Sequence, residues 1–343
     1  MHLNMASWAK SIVDSDEVTA LPIMTYPGLA LVGTGIMDVV TRPEEQVACI
    51  DSLASRYPSI AAVMMMDLSI EAEAFGSQVV FSDKEVPTVT GRVVTDLESA
   101  RTLSVPQVGS ARTAKALNAT ALAAGKILDR PLFGGQIGPF SLAGRLLGLS
   151  DIVLAAMRTP ATVHAVLEKC TEFLIEYAKA IKKAGANGTI MAEPAAGLLS
   201  PRLCHAFSSQ YVKRIVAAVQ DDEFMVILHN CGNSTRLVES MLSTGAAALH
   251  VGNAVKVPEI AAQMPADRLV MGNIDPGGIF KIGSPEQVRQ AVHKLLVEMK
   301  EYPNFVLSSG CDIPPGAPLA NMDAFFEALA EHNDQRLARA VAD

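Results

Sequence analysis

Short apolar runs alternate with amphipathic stretches along the whole chain, and that alternation predicts the architecture. Runs over 21–25, 60–66, 132–136, 188–192, 225–228, 246–250, 269–272 and 305–308 have the length and apolar content of buried strands. Between them, apolar residues recur at three- and four-residue spacing over segments such as 151–183 and 201–220, as in helices with one packed face. Eight strands, most followed by a helix and spaced on the order of 40 residues apart, predict an α/β fold of the (β/α)₈ TIM-barrel kind. An open doubly wound sheet is the alternative. No GxGxxG follows the first run, which argues against the dinucleotide-binding form of that sheet.

Two segments break the alternation. Residues 1–18 carry one amphipathic patch around Trp8, Ile12 and Val13, expected to be a helical arm packed across the barrel bottom. Residues 76–105 mix β-branched and polar residues around turns, the pattern of a β-hairpin inserted after the second strand. With no repeat, linker or low-complexity tract between them, residues 1–343 are expected to form one barrel domain.

Composition narrows the function. Half of the residues are hydrophobic and 19% are charged, enough for a large core and too few charges for disorder. The net charge is -8, and no basic patch interleaved with aromatic residues points to nucleic acid. No apolar run approaches the length of a membrane span, and the first residues lack the apolar stretch of a signal peptide. The five cysteines form no paired framework, so reduced thiols in the cytoplasm are expected.

Chemistry in such a barrel gathers at the carboxyl ends of the strands. The runs here stop at Asp67, Gln136, Glu193, His229, His250, Asn273 and Cys311. Cys231 shares strand parity with His229, so both side chains can face inward, and Gly232 allows the chain to turn behind them. Cys311 arrives 80 residues after Cys231, at the last strand end. One imidazole and two thiolates from separate strands make a soft N/S site suited to Zn²⁺, with one tetrahedral position to spare. His229, Cys231 and Cys311 are therefore the candidate metal ligands. The bland reading is a buried strand histidine with two core cysteines. Glu193 is a candidate fourth ligand or proton acceptor, and equally a helix cap or rim ion pair. Asp67 is a candidate catalytic carboxylate, or the partner of a rim arginine. Gln136, Asn233, His250 and Asn273 are candidate substrate contacts, and Asn321 a candidate cap of the final helix.

The segments HNCGN, SSGCDIPPGAPLANM, AEPAAGLLSP and GGQIGPF resemble the uroporphyrinogen decarboxylase superfamily. They are most similar to its branch of zinc-dependent, corrinoid-linked methyltransferases, typified by methylcobalamin:coenzyme M methyltransferases. The resemblance covers essentially the whole chain and implies a TIM barrel with zinc on His229, Cys231 and Cys311. It also implies methyl transfer between methylcobalamin and a small thiol such as coenzyme M. The chain has no D-x-H-x-x-G cobalt-ligand pattern, so the corrinoid is expected on a separate binding protein. Relatives of this kind also run in reverse, taking methyl from an ether. The decarboxylase branch grips a polycarboxylate porphyrinogen with arginines near an RQAGR-like motif. Here the matching stretch is MTYPGLALVG, and the first hundred residues hold only Arg42, Arg56 and Arg92. A multiply anionic substrate needs fixed cationic donors, so this reading ranks lower. A non-catalytic zinc-binding docking protein is a further alternative.

Overall fold

A computed structural model describes residues 3–342. Eight parallel strands carry the architecture: β1 (Thr19–Ala20), β2 (Ala62–Val63), β5 (Leu132–Ile137), β6 (Gly188–Ala192), β7 (Met225–Asn230), β8 (Ala248–Val251), β9 (Leu269–Ile274) and β10 (Phe305–Ser309). Their order is β1-β10-β9-β8-β7-β6-β5-β2. The two terminal strands meet where the Ile60 amide donates to the Ala20 carbonyl at 2.9 Å, closing the (β/α)₈ barrel. Between β2 and β5 lies the antiparallel hairpin of β3 (Gln78–Val80) and β4 (Thr88–Thr90). The helix Leu97–Thr102 follows it, inside a segment whose pattern suggested only hairpin.

Strand parity divides the apolar residues into two layers. Phe133, Ile190, Met225, Ile227, Met271 and Val306 fill the barrel interior. Val226, Leu228, Leu249, Val270 and Leu307 face outward into the layer shared with the helices. The expected strands at 132–136, 225–228, 246–250, 269–272 and 305–308 lie within a residue or two of the observed ones, and 188–192 coincides with β6. The runs at 21–25 and 60–66 are less regular. Leu21 and Ile23 still point into the barrel, but the Ile23 amide is satisfied by the Ser309 hydroxyl, at 3.0 Å, instead of by a backbone ladder. Strand assignment shortens wherever a side chain takes over a ladder bond.

The helix Met5–Val13 lies across the amino-terminal end of the barrel. Its Met5 and Ile12 join the interior cluster, and the Trp8 ring sits 5.9 Å from Phe133. Asn4 caps it by accepting from the Ser7 amide. No single helix among the described residues is long and apolar enough to cross a membrane; Pro139–Leu147 and Ile152–Arg158 would reach that length only together, across a 96° bend.

Candidate metal centre

The inward parity of Met225 and Ile227 on β7 continues through His229 to Cys231, while Cys311 follows β10 by way of Gly310. The result is local convergence of distant residues. One ligand atom from each of His229, Cys231 and Cys311 lies within 4.8 Å of the other two. His229 is fully buried and both cysteines are half-buried, at the open end of the barrel. The Nε2 of His229 has no hydrogen-bond partner, although it is buried. Such an orphan calls for an explanation, since buried polar atoms are nearly always paired.

The two thiols are not equivalent. Cys231 is held well below the ordinary thiol range by the neighbouring Cys311 thiol and by the adjacent His229, against the effect of burial. Cys311 is pushed correspondingly up by the same partner and by burial. Two thiols and an imidazole set this close favour loss of a thiol proton, giving the form that metals bind. Beside them, burial raises the Asp312 carboxyl to about 7, although the Thr25 amide and hydroxyl both donate to it.

Register explains the neighbour of His229. On β7 and β8, His229 pairs with His250, so both rings project from adjacent strands into the barrel. Their Nδ1 atoms are 2.8 Å apart, and His250 Nε2 is 2.8 Å from Ser308 Oγ. Burial, then the field of His229, pushes the His250 ring well below the usual imidazole range. The sequence expectation made His250 a candidate substrate contact; in the structure the ring is fully buried with both nitrogens engaged by His229 and Ser308.

Other expected site residues also turn elsewhere. Gln136 has the parity opposite to the inward-facing Phe133, and its amide donates to the Leu174 carbonyl of the outer helix Pro160–Lys183. It faces away from the barrel mouth. Glu193 accepts from the Phe140 and Ser141 amides at 2.8 Å each and from the Ser208 hydroxyl at 2.9 Å. Its carboxylate thus caps the helix Pro139–Leu147, and burial raises its affinity for a proton in spite of those donors. We expect Glu193→Ala to leave two buried amides unpaired and to lower stability by about 3 kcal/mol. A denaturation midpoint read alongside metal content checks this, because a fourth ligand would change the metal first.

Asp67 is nearly buried and paired with Arg112, which also reaches Glu73 at 2.6 Å and the Ser69 hydroxyl at 2.7 Å. The rim-arginine expectation for Asp67 matches this pairing. Arg112 itself carries no motif that would single it out in the sequence. Asn321 is not a cap: it lies inside the helix Leu319–Ala342 and donates to the Phe280 and Gly283 carbonyls.

Asn273 donates to the Gly252 and Val255 carbonyls, each at 2.8 Å, and so fastens the loop after β8. That loop matters to the metal group. A Cβ on Gly252 would sit 2.5 Å from the Cys231 Cα and 2.8 Å from its carbonyl oxygen. Only hydrogen fits there. Gly252→Ala is expected to displace the Cys231 backbone and weaken metal binding about tenfold, the scale of a disturbed supporting shell; chelator competition against the unmodified protein measures it. Asn233 keeps an exposed side chain, in a cleft with Gly197, Ser200 and Arg236.

A sequence model of the family described as Uroporphyrinogen decarboxylase (URO-D) matches residues 26–332. The chain is 31% identical, over 271 residues and 78% of each sequence, to the methylcobamide:CoM methyltransferase MtbA of Methanosarcina acetivorans. It is 27% identical over 301 residues to the uroporphyrinogen decarboxylase of Hydrogenovibrio crunogenus, covering 84% of this chain and 83% of that one. A solved methyltransferase from Methanosarcina mazei superposes with a TM-score of 0.84 at 23% identity, covering 96% of this chain and 99% of that one, a likeness of fold.

Proposed function

The chain belongs to the uroporphyrinogen decarboxylase family, and from that premise we propose that it is a zinc-dependent methyltransferase moving a methyl group between a corrinoid and a small thiol such as coenzyme M. One observation carries this reading: His229, Cys231 and Cys311 bring an imidazole nitrogen and two sulfurs within 4.8 Å of one another at the barrel mouth. The donor set fits zinc. The buried Nε2 of His229 lacks any other partner, and the neighbouring groups lower the proton affinity of Cys231. Three protein ligands leave a position for a substrate, as in catalytic and not structural zinc sites. Bound zinc would make a substrate thiol acidic enough to react as the thiolate near neutral pH.

The protein's own residues define the rest. Two cysteine ligands offset the charge of a divalent ion more fully than neutral imidazoles would, which favours a nucleophilic sulfur on the substrate over activation of water. The inward-facing layer of Ile190, Ile227 and Met271 floors the site and keeps it dry from below. Above it the mouth is the only direction from which a methyl-bearing corrinoid can approach. Because the chain carries no D-x-H-x-x-G cobalt-ligand pattern, the corrinoid is expected on a partner protein docked there.

The arginines support the methyltransferase over the decarboxylase among the relatives. Arg42 pairs with Asp38 and Glu45, Arg56 with Asp323, and Arg92 with Asp151, so all three arginines of the first hundred residues are committed to ion pairs. A polycarboxylate would find no free guanidinium among them.

The direct test supplies methylcobalamin and a panel of thiols to zinc-loaded protein and follows the visible spectrum of cobalt. Thiol-dependent demethylation, abolished by a chelator and restored by zinc, is the expected result. Transfer that persists after complete metal removal would refute the reading, as would inactivity with every thiol and, in reverse, with methyl ethers.

A further inference from the structure

The metal-centre reading uses His229 but gives no reason for the second buried histidine beside it. The hydrogen bonds around the pair can be followed to a fixed end. Ser308 Oγ lies 2.6 Å from the backbone carbonyl of Leu21. A carbonyl oxygen only accepts, so the single hydroxyl proton of Ser308 points there. The Ser308 oxygen must then accept from His250 Nε2, 2.8 Å away. The His250 ring is fully buried and its two nitrogens meet only His229 and Ser308, neither of them an acid that could balance a charge, so the ring is neutral. A neutral imidazole holds one N–H, and that proton is already on Nε2. His250 Nδ1 is therefore an acceptor, and His229 Nδ1 at 2.8 Å must be its donor. A neutral His229 with its proton on Nδ1 keeps its lone pair on Nε2, the buried atom without a hydrogen-bond partner.

We propose that His250 and Ser308 are positioning residues that set the tautomer of His229, so that its Nε2 faces the two cysteine sulfurs unprotonated and ready to bind metal. The order runs from a backbone atom on the first strand segment, through β10 and β8, to the ligand on β7. Ser308 and His250 share inward parity with Val306 and Ala248, directly above the apolar interior, so the relay is shielded from water that could otherwise exchange its protons. Removing the Ser308 oxygen would leave the His250 proton without an acceptor on Nε2. Its transfer to Nδ1 would force the His229 proton onto Nε2, the form that cannot ligate. This inference rests on the metal reading for its purpose, though not for its hydrogen-bond logic.

Two measurements separate them. In metal-free protein labelled with ¹⁵N-histidine, proton–nitrogen correlations assigned through His229→Gln and His250→Gln variants should show His229 protonated on Nδ1 and His250 on Nε2. Zinc competition against a chromogenic chelator should show Ser308→Ala weakened about 10–100-fold, the range for lost supporting contacts, with Ser308→Thr close to wild type. His229 found protonated on Nε2, or Ser308→Ala binding zinc as tightly as wild type, would overturn the inference. Wild-type protein with the expected tautomers but no zinc affinity would instead defeat the metal reading and leave the relay standing. Should Ser308→Ala fail to fold, the wild-type spectra decide alone.

Discussion

Cys311→Ala is expected to abolish zinc retention and methyl transfer together while leaving the barrel folded. Zinc bound by a small protein site is worth about 10–16 kcal/mol, so each of three or four ligands carries roughly 3 kcal/mol, or about a hundredfold or more in affinity. Cys311 stands outside the interior apolar cluster and is only half-buried, so its removal leaves no large cavity and costs little stability without metal. Its loss also takes from Cys231 the neighbour that most strongly lowers its proton affinity. The remaining pair, His229 and Cys231, comes from one strand and encloses the ion from one side only. Metal content per chain, a far-ultraviolet spectrum and the cobalt assay on the same preparation check this. A variant that keeps its zinc would remove Cys311 from the ligand set.

Arg112→Met should have the largest effect on stability of any single change at the mouth. The guanidinium is nearly buried and holds Asp67 and Glu73 at once, while Phe81 of the hairpin lies over it at 4.8 Å. Methionine fills comparable volume and leaves two carboxylates facing each other without a cation. Breaking a buried pair in this way costs about 3–5 kcal/mol. The loss should be partly recovered in the triple variant Arg112→Met, Asp67→Asn, Glu73→Gln, because the stranded charges disappear with their partner. Chemical denaturation midpoints of the two proteins test the point; equal midpoints for Arg112→Met and wild type would show that the triad carries no net weight.

Much of this molecule is legible in its sequence, for identifiable reasons. A parallel barrel strand is buried on both faces, so β6 announces itself as an uninterrupted apolar run with the bounds that the structure gives. Seam strands are harder. β1 and β2 are two residues each because their neighbours there are a side-chain hydroxyl and one backbone bond, which no hydropathy pattern encodes. The approach of His229, Cys231 and Cys311 is legible because those residue types are scarce and fall at strand ends. Facing is not always recoverable. Gln136 ends its run just as His229 does, yet a shift of one residue in parity sends it to the outer helix. Glu193 also looks like chemistry at a strand end, but its two oxygens match two amides of the following helix, a contact made only after the chain has turned. Ser308 and Gly252 are invisible for a different reason. One reads as an ordinary strand residue and the other as an ordinary turn, and their importance lies wholly in what stands across the barrel from them.

The helix that closes the amino-terminal end leaves a vessel with a single doorway. Under the proposed function a small reactant and a macromolecular donor would use the same threshold, and whichever arrived second would find the first already in its path. On that reading the compact thiol would be seated before the larger visitor covers the opening, and the methylated product would leave only after that visitor has gone. Ordered entry and delayed departure would then follow from the filled barrel interior and the Met5, Trp8 and Ile12 helix beneath it, without any moving part.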